Sequence, residues 1–284
     1  MTLNGMQYKR LNAAGRLEDM SLGIRALLAT NEASAKPLVQ QLHELNLQRR
    51  EIETDMQFDA MSMLDEASIG AKTSISVYQP DWHQGVIGIL ASRIKERFHR
   101  PTIVFASADN GLLKGSGRSI SGLHLRDALD IITKHHPDLI VKFGGHAMAA
   151  GLTIRETDFA RFDTAFEVVV QTTLPADALE QTIEIDGTLA ETDMHWDTAQ
   201  LLTNAVWGQG FPPPLFHDTF DVLDQRIVGE KHLKLKLKKE LLQFDAIYFN
   251  QQQHVNQRIE VVYQLQPNTY NGVESVQLNI HTIL

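Results

Sequence analysis

Four short segments of this chain hold residues suited to gripping an anion. In GSGRSI, Gly115 to Ile120, two glycines let the backbone approach a ligand, Ser116 and Ser119 offer hydroxyl donors, and Arg118 supplies a planar fork matched to phosphate. The same letters also fit a hairpin turn with an exposed arginine. In KFGGHAMAAG, Lys142 to Gly151, Gly144 and Gly145 read as a flexible loop presenting the imidazole of His146. That group can donate to a phosphate oxygen or stand near a metal-bound phosphodiester, and a satisfied structural histidine at a turn is the plainer reading. In RLNAAGRLED, Arg10 to Asp19, the trio Asn12, Gly15 and Arg16 reads as an anion-facing turn ahead of a helix capped by Ser21.

The fourth segment is GEKHLKLKLKK, Gly229 to Lys239. Period-two alternation puts Lys234, Lys236 and Lys238 on one face of a strand and Leu233, Leu235 and Leu237 on the other. With Lys231 and Lys239 this makes five lysines and no acid between positions 231 and 239. On a barrel such a stripe can track the backbone of a single nucleic-acid strand, with Phe244, Tyr248 and Tyr263 as stacking platforms. The competing explanation is an edge strand guarded by lysines against aggregation.

The elements that must hold these residues can be read from periodicity. Apolar residues recur at helical spacing from Leu38 to Ile69 without glycine or proline, and Pro37 suits a first helical position, so this stretch reads as a connecting rod. Short strands and helices then alternate: a strand over Thr73–Gln79, a helix over Gly85–Phe98, a strand over Thr102–Ala106, a helix over Leu123–His135, a strand over Gly151–Ile154. A helix with Thr157 at its N-cap ends near Thr173. This is an α/β domain. From about Thr182 strand patterns dominate, helical pattern intrudes only near Thr192–Val206, and Asn271-Gly272 marks a hairpin. A small antiparallel barrel fits, with the OB-fold leading.

Composition bounds the possibilities. The 284 residues suffice for two domains, and with no cysteine there is no disulfide and no thiolate ligand or nucleophile. A net charge of −9 confines any nucleic-acid binding to a local track. The sequence lacks an apolar run of membrane-spanning length and a signal-peptide layout, so a cytoplasmic location without membrane contact is expected. There is no HExxH, no P-loop and no evident set of side chains for two metal ions; His135-His136 reads as a helix end.

In their order, RLNAAGRLEDMSLGI, WHQGVIGILASRIKERFHRPTIVF, GSGRSISGLHLRDAL, FGGHAMAAGLTI, WGQGFPPPLF and GEKHLKLKLK resemble the RecJ family of single-strand-specific DNA exonucleases. The resemblance covers nearly the whole chain from Arg10. It implies the end of a DHH phosphoesterase domain over 1–35, a connecting helix over 36–69, an α/β DHHA1 domain over 70–175 and an all-β OB-fold over 180–284. It also implies 5′→3′ exonuclease chemistry in DNA repair and recombination with two Mn2+ or Mg2+ ions. The ligands of those ions have no counterpart here, so the chain alone is expected to be inactive and to hold no metal. By resemblance Ser116, Arg118 and Ser119 hold the 5′ phosphate, Arg16 contacts the strand, and Gly144, Gly145 and the catalytic-side His146 face the scissile phosphate. Lys231, Lys234, Lys236 and Lys238 grip the strand elsewhere. Single-stranded DNA is the expected partner, with single-strand-binding protein and a repair helicase as further candidates. The rival readings are an inactive single-strand-binding module and an oligonucleotide phosphodiesterase of the DHH–DHHA1 type.

Overall fold

The long helix starts earlier than its proline suggests. In the computed structural model, which describes residues 5–64, 69–208, 211–229, 231–270 and 272–284, α3 runs Glu32–Met63. Asn31 caps it by accepting from the Ser34 N–H at 2.9 Å, a satisfaction of an orphan donor that proline cannot offer. Pro37 therefore lies in the second turn, where its missing N–H costs only a bond to the exposed Ala33 carbonyl. Residues 65–68, the last part of the expected rod before Ile69, lie outside the described residues. Near its start α3 packs on α1 (Gly5–Leu17) and α2 (Ser21–Leu28) through Ala13, Ala14, Leu22, Leu42 and Leu45. Toward its end Met56 and Ala60 join the core of the α/β domain.

The expected turn at Asn12 and Gly15 is instead helix. Both residues lie inside α1, because buried Ala13 and Ala14 let that helix sit closely against its neighbours. Arg16 falls in the last turn of α1. The Asp19 carboxylate, not Ser21, serves the start of α2, accepting from the Ser21 N–H at 2.9 Å.

The α/β domain is built on a five-stranded sheet of order β1-β2-β3-β5-β4. Its elements are β1 (Ile75–Gln79), α4 (Ile87–Phe98), β2 (Thr102–Ala108), β3 (Leu112–Arg118), α5 (Leu125–His135), β4 (Lys142–Gly145), β5 (Ala149–Arg155) and α6 (Phe159–Thr173). Only β1 and β2 run parallel, joined through α4. One sheet face presents Ile103, Phe105, Leu113, Leu152 and Ile154 to buried residues of α5 and α6. On the other, Ile75, Val77, Val104 and Ala106 pack with Ile87, Leu90, Ala91 and Ile94 of α4. The apolar run on this second face stops at β2. The register carries the same face onward through Lys114, Ser116 and Arg118 of β3, Gly151 and Thr153 of β5, and Lys142 and Gly144 of β4. Half of one face is thus polar and cationic.

GSGR is the end of a strand and not a turn, which changes the reason for its glycines. A Cβ on Gly115 would stand 2.5 Å from Phe105 and 2.7 Å from Leu152, and one on Gly117 would stand 2.7 Å from Leu125. Both glycines make room for the core on the face opposite Arg118. Across the domain Glu167 of α6 accepts from the N–H and hydroxyl of Thr73 at 2.7 and 2.9 Å and from those of Ser74 at 2.9 and 2.6 Å. Burial alone would raise this carboxyl, but the bonds from Ser74 and Thr73 outweigh it and hold it below its usual range.

Residues from Thr182 onward form a separate compact unit. Helix α7 (Trp196–Asn204) precedes β6 (Phe216–Val228), β7 (His232–Lys239), β8 (Leu242–Tyr248), β9 (Arg258–Tyr270) and β10 (Val273–Ile283). These five strands close into a barrel of order β10-β8-β7-β6-β9, as in an OB-fold. Closure overturns the edge-strand reading of the lysine stripe, since β7 is paired on both sides by β6 and β8. Val273 pairs with Tyr270 across the β9–β10 turn, where Gly272 has φ 77° and Asn271 lies outside the described residues. Gln209, Gly210 and Glu230, within two of the segments that carry the resemblance, also lie outside them.

Candidate functional site

Strand β3 and the end of α1 bring two arginines to one place. Arg118 donates through Nη1 to the Gly117 carbonyl at 2.8 Å and to Ser116 Oγ at 3.3 Å, which fixes its fork beside the serine hydroxyl. Arg16 donates to the Gly85 carbonyl at 3.2 Å. Two glycines make the approach possible: a Cβ on Gly85 would lie 1.8 Å from the Arg16 carbonyl oxygen, and one on Gly88 would lie 3.0 Å from Ser116 Oγ and 3.1 Å from Arg118 Nη2. Burial first, and then the charge of Arg16, push the Arg118 guanidinium below its usual value, yet an arginine so placed remains protonated. Like charges held together without a carboxylate favour an anion between them.

These groups open on a cavity of about 480 Å3 along the polar half-face. Arg16, Ser116, Arg118, Lys114, Lys142 and Gly144 line it, and Ile87 and Gly88 bring the first turn of α4 to its rim, where the helix dipole is positive. No aspartate or glutamate is among the described lining residues. The arrangement can hold one or more phosphate groups by charge-assisted bonds.

The expected site residues divide. Arg16, Ser116, Arg118 and Gly144 meet at the cavity. Ser119 does not: it is buried and its hydroxyl donates to the Leu123 carbonyl at 2.8 Å, so it ties the chain after β3 to the start of α5. The diglycine is the end of β4 rather than a loop. Gly145 has φ 147° and any Cβ there would lie 2.4 Å from the Ala149 carbonyl, so its role is steric. His146 is exposed in the β4–β5 turn, with its N–H bonded to the Ala149 carbonyl at 2.8 Å, and is outside the cavity lining. Sequence reasoning missed Lys114, Lys142 and Thr153. For Lys114 the signal was the alternation Lys114, Ser116, Arg118, visible only once the segment is taken as a strand, whereas Lys142 and Thr153 come beside it only through the β3–β5–β4 register.

On the barrel the lysines of β7 alternate with buried Leu233, Leu235 and Leu237 as expected. Their neighbours were not evident from local sequence. Lys238 stands opposite Asp221, Lys236 stands between Asp224 and Asp245, and Lys234 pairs with Asp245 at 3.0 Å. Lys231 is exposed in the turn before β7. Lys239 points elsewhere, donating at 2.6 Å to Asp218, which also accepts from the Tyr263 hydroxyl at 2.7 Å. Phe244 and Tyr263 are buried in the barrel core and offer no stacking surface, and Tyr248 packs partly against that core.

The DHHA1 domain model matches residues 70–172 and the RecJ OB domain model matches residues 185–282. The chain belongs to the RecJ family. It is 47% identical over 95% of its length to the single-stranded-DNA-specific exonuclease RecJ of Dickeya dadantii, of which it covers 49%. The chain thus spans about half the length of the curated relatives it matches. Crystal structures of RecJ from Thermus thermophilus with Mg2+ and with Mn2+ match it with TM-scores of 0.73 and 0.74 at 28% identity, covering 97% of this chain and 42% and 40% of those chains. Among the described residues no three His, Asp or Glu side chains gather as metal ligands, and no helix is long and apolar enough to cross a membrane.

Proposed function

We propose that this chain is the strand-gripping part of a RecJ-type 5′→3′ exonuclease, and that the cavity on the α/β domain receives the 5′-terminal phosphate of single-stranded DNA. The convergence of Arg16, Ser116 and Arg118 on one carboxylate-free cavity carries this reading. In it, 1–35 ends a DHH domain, 36–69 connects, 70–175 holds the end and 180–284 holds more of the strand through Lys231, Lys236 and Lys238. His146, exposed at the β4–β5 turn, is assigned to the scissile-phosphate side. The location is cytoplasmic, and the partners beyond DNA are a single-strand-binding protein and a repair helicase.

The described residues do not fit a metal pair, so no hydrolytic step is assigned to them. What they supply is position. A phosphate held by a guanidinium fork and a hydroxyl fixes the strand end, and catalysis gains from such placement whichever groups perform the chemistry. A 5′-phosphorylated oligothymidylate should bind this chain more tightly than its 5′-hydroxyl counterpart in a fluorescence titration. Since a bond to a charged group contributes about 1.5–3 kcal/mol, Arg118→Ala should cut that preference about tenfold or more. A full phosphate preference in the folded variant would remove Arg118 from the site.

A further inference from the structure

The barrel unit carries an aromatic pair on its surface. Trp207 and Phe211 stand with ring centroids 5.4 Å apart and planes tilted by 35°. Local bonds fix both residues. The Trp207 indole N–H donates to the Leu202 carbonyl of α7 at 2.7 Å, and Gly208 and Phe211 exchange backbone bonds of 2.9 and 3.1 Å. Pro212 follows directly, which confines Phe211 to extended backbone, and Pro213 and Pro214 stiffen the chain beyond it. Phe211 is nonetheless 68% exposed. A large apolar ring held rigid in water forgoes the burial that would stabilise it, and so marks a contact surface.

Beside the pair lies a cavity of about 180 Å3, lined by Trp207, Thr203, Pro213 and, from β9, Gln264 and Gln266. No charged residue is among its described lining residues. Gln266 donates to the Gln264 amide oxygen at 3.4 Å, so the Gln264 N–H groups and the Gln266 oxygen have no partner among the described residues. A phosphate finds no cation here. An aromatic wall, neutral amides with free donors and acceptors, and no charge suit a flat, uncharged ring that carries donors and acceptors of its own. A nucleobase meets each condition.

We propose that Trp207, Phe211, Gln264 and Gln266 form a base-binding platform for single-stranded DNA, which rests on the reading of the barrel as a strand-holding unit. The platform supplies the stacking surface that Phe244 and Tyr263, buried in the core, do not offer. It lies at β9, and β10 and β8 separate it from the lysines of β7. Three strand spacings make roughly 14 Å around the barrel, which about four nucleotides cover at a stacked rise of roughly 3.4 Å each. The lysines hold phosphates, and the aromatic pair holds a base of the same strand.

The test compares binding of the whole chain, by fluorescence anisotropy, to a 5′-hydroxyl oligothymidylate and to a strand of the same length and charge built from abasic residues. The base-bearing strand should bind about tenfold more tightly, the size expected of one stacked base. Phe211→Ala, on an exposed side chain, should remove most of that advantage and leave the abasic strand unaffected, whereas Phe211→Tyr should keep it. In the NMR spectrum the Trp207 indole N–H should shift with oligothymidylate and stay in place with the abasic strand. An advantage absent from the native chain or surviving Phe211→Ala, or a loss shared equally by both strands, overturns the platform. Phe211→Ala that breaks up self-association of the chain and leaves the advantage intact gives the ring to a second copy, and overturns it too. Changing Lys234, Lys236 and Lys238 to Gln should weaken both strands alike. No weakening by that change, with the advantage still lost in Phe211→Ala, overturns the lysine contacts and leaves the platform standing.

Discussion

A guanidinium at a phosphate site acts by geometry as much as by charge. Arg118 is held against Gly117 and Ser116, so most of its rotamer freedom is already lost before a ligand arrives. Arg118→Lys should therefore recover only part of the 5′-phosphate preference in the titration that tests Arg118→Ala, because an ammonium cannot present paired donors. The glycines beside it make a second contrast. Gly117→Ala must push its new methyl into Leu125 at 2.7 Å. Urea unfolding should register a loss of roughly 1–3 kcal/mol. Gly144→Ala enters open space and should leave stability nearly unchanged while weakening binding of a 5′-phosphorylated strand, and equal stability of the two variants would contradict the steric account. The fold brings Arg118 and Ser116 to one cavity, and the two were legible as a pair of donors from residue type alone. The reason for Gly115 and Gly117 was not, because Phe105, Leu125 and Leu152 reach them only through the tertiary fold. Ser119 misled for a related reason: a serine beside an arginine looks like a donor until its hydroxyl is found facing Leu123.

At the scale of elements, the start of β1 is fastened to α6 by one carboxylate. Glu167 has its pKa depressed in the folded chain by the bonds it accepts from Ser74 and Thr73. The sign follows from linkage: the unfolded chain binds its proton more readily, so this contribution is complete above the ordinary value of 4.5 and is lost as pH falls through the lower folded-state value. Glu167→Gln should destabilise the chain at neutral pH and flatten the decline of melting temperature below about pH 5, a window set by ordinary carboxylate titration. A variant with the native acid limb would assign that decline to other carboxylates. The elements themselves were largely legible, since α4, α5 and α6 follow clear apolar periodicity. The start of α3 was not, because proline is the louder signal while Asn31 and Ser34 make the cap. Strand β4 was missed because glycines at 144 and 145 argue for a loop, and only pairing with β5 makes them a strand.

For the molecule as a whole, an acidic chain must concentrate its few unopposed cations where they count. With a net charge of −9, long-range attraction for DNA is weak, and the contacts must be local. On the barrel even these are tempered, since Asp221, Asp224 and Asp245 flank the β7 lysines. Changing Lys234, Lys236 and Lys238 together to Gln should lower the salt slope of single-strand binding by roughly 1.4, or two contacts at about 0.7 each, because Lys234 is already engaged by Asp245. A fall of a full three contacts would mean that DNA displaces the aspartates, and no fall would leave the stripe without a role in binding. The barrel was foreseeable from alternation, and the same alternation places Ile259, Val261, Tyr263 and Leu265 together on the inner side of β9. Tyr263 was therefore readable as core, had period two been given more weight than the appeal of an aromatic near a basic strand. The division of labour on the α/β sheet has a consequence for how such a domain can change over generations. Its stability resides in the face under α5 and α6 and in the strip beneath α4, while the bare remainder of β3, β5 and β4 contributes little to folding. Substitutions at the exposed Lys114 and Lys142 are thus nearly free of a folding penalty. Descendants can exchange one ligand for another on that surface while inheriting an unaltered scaffold.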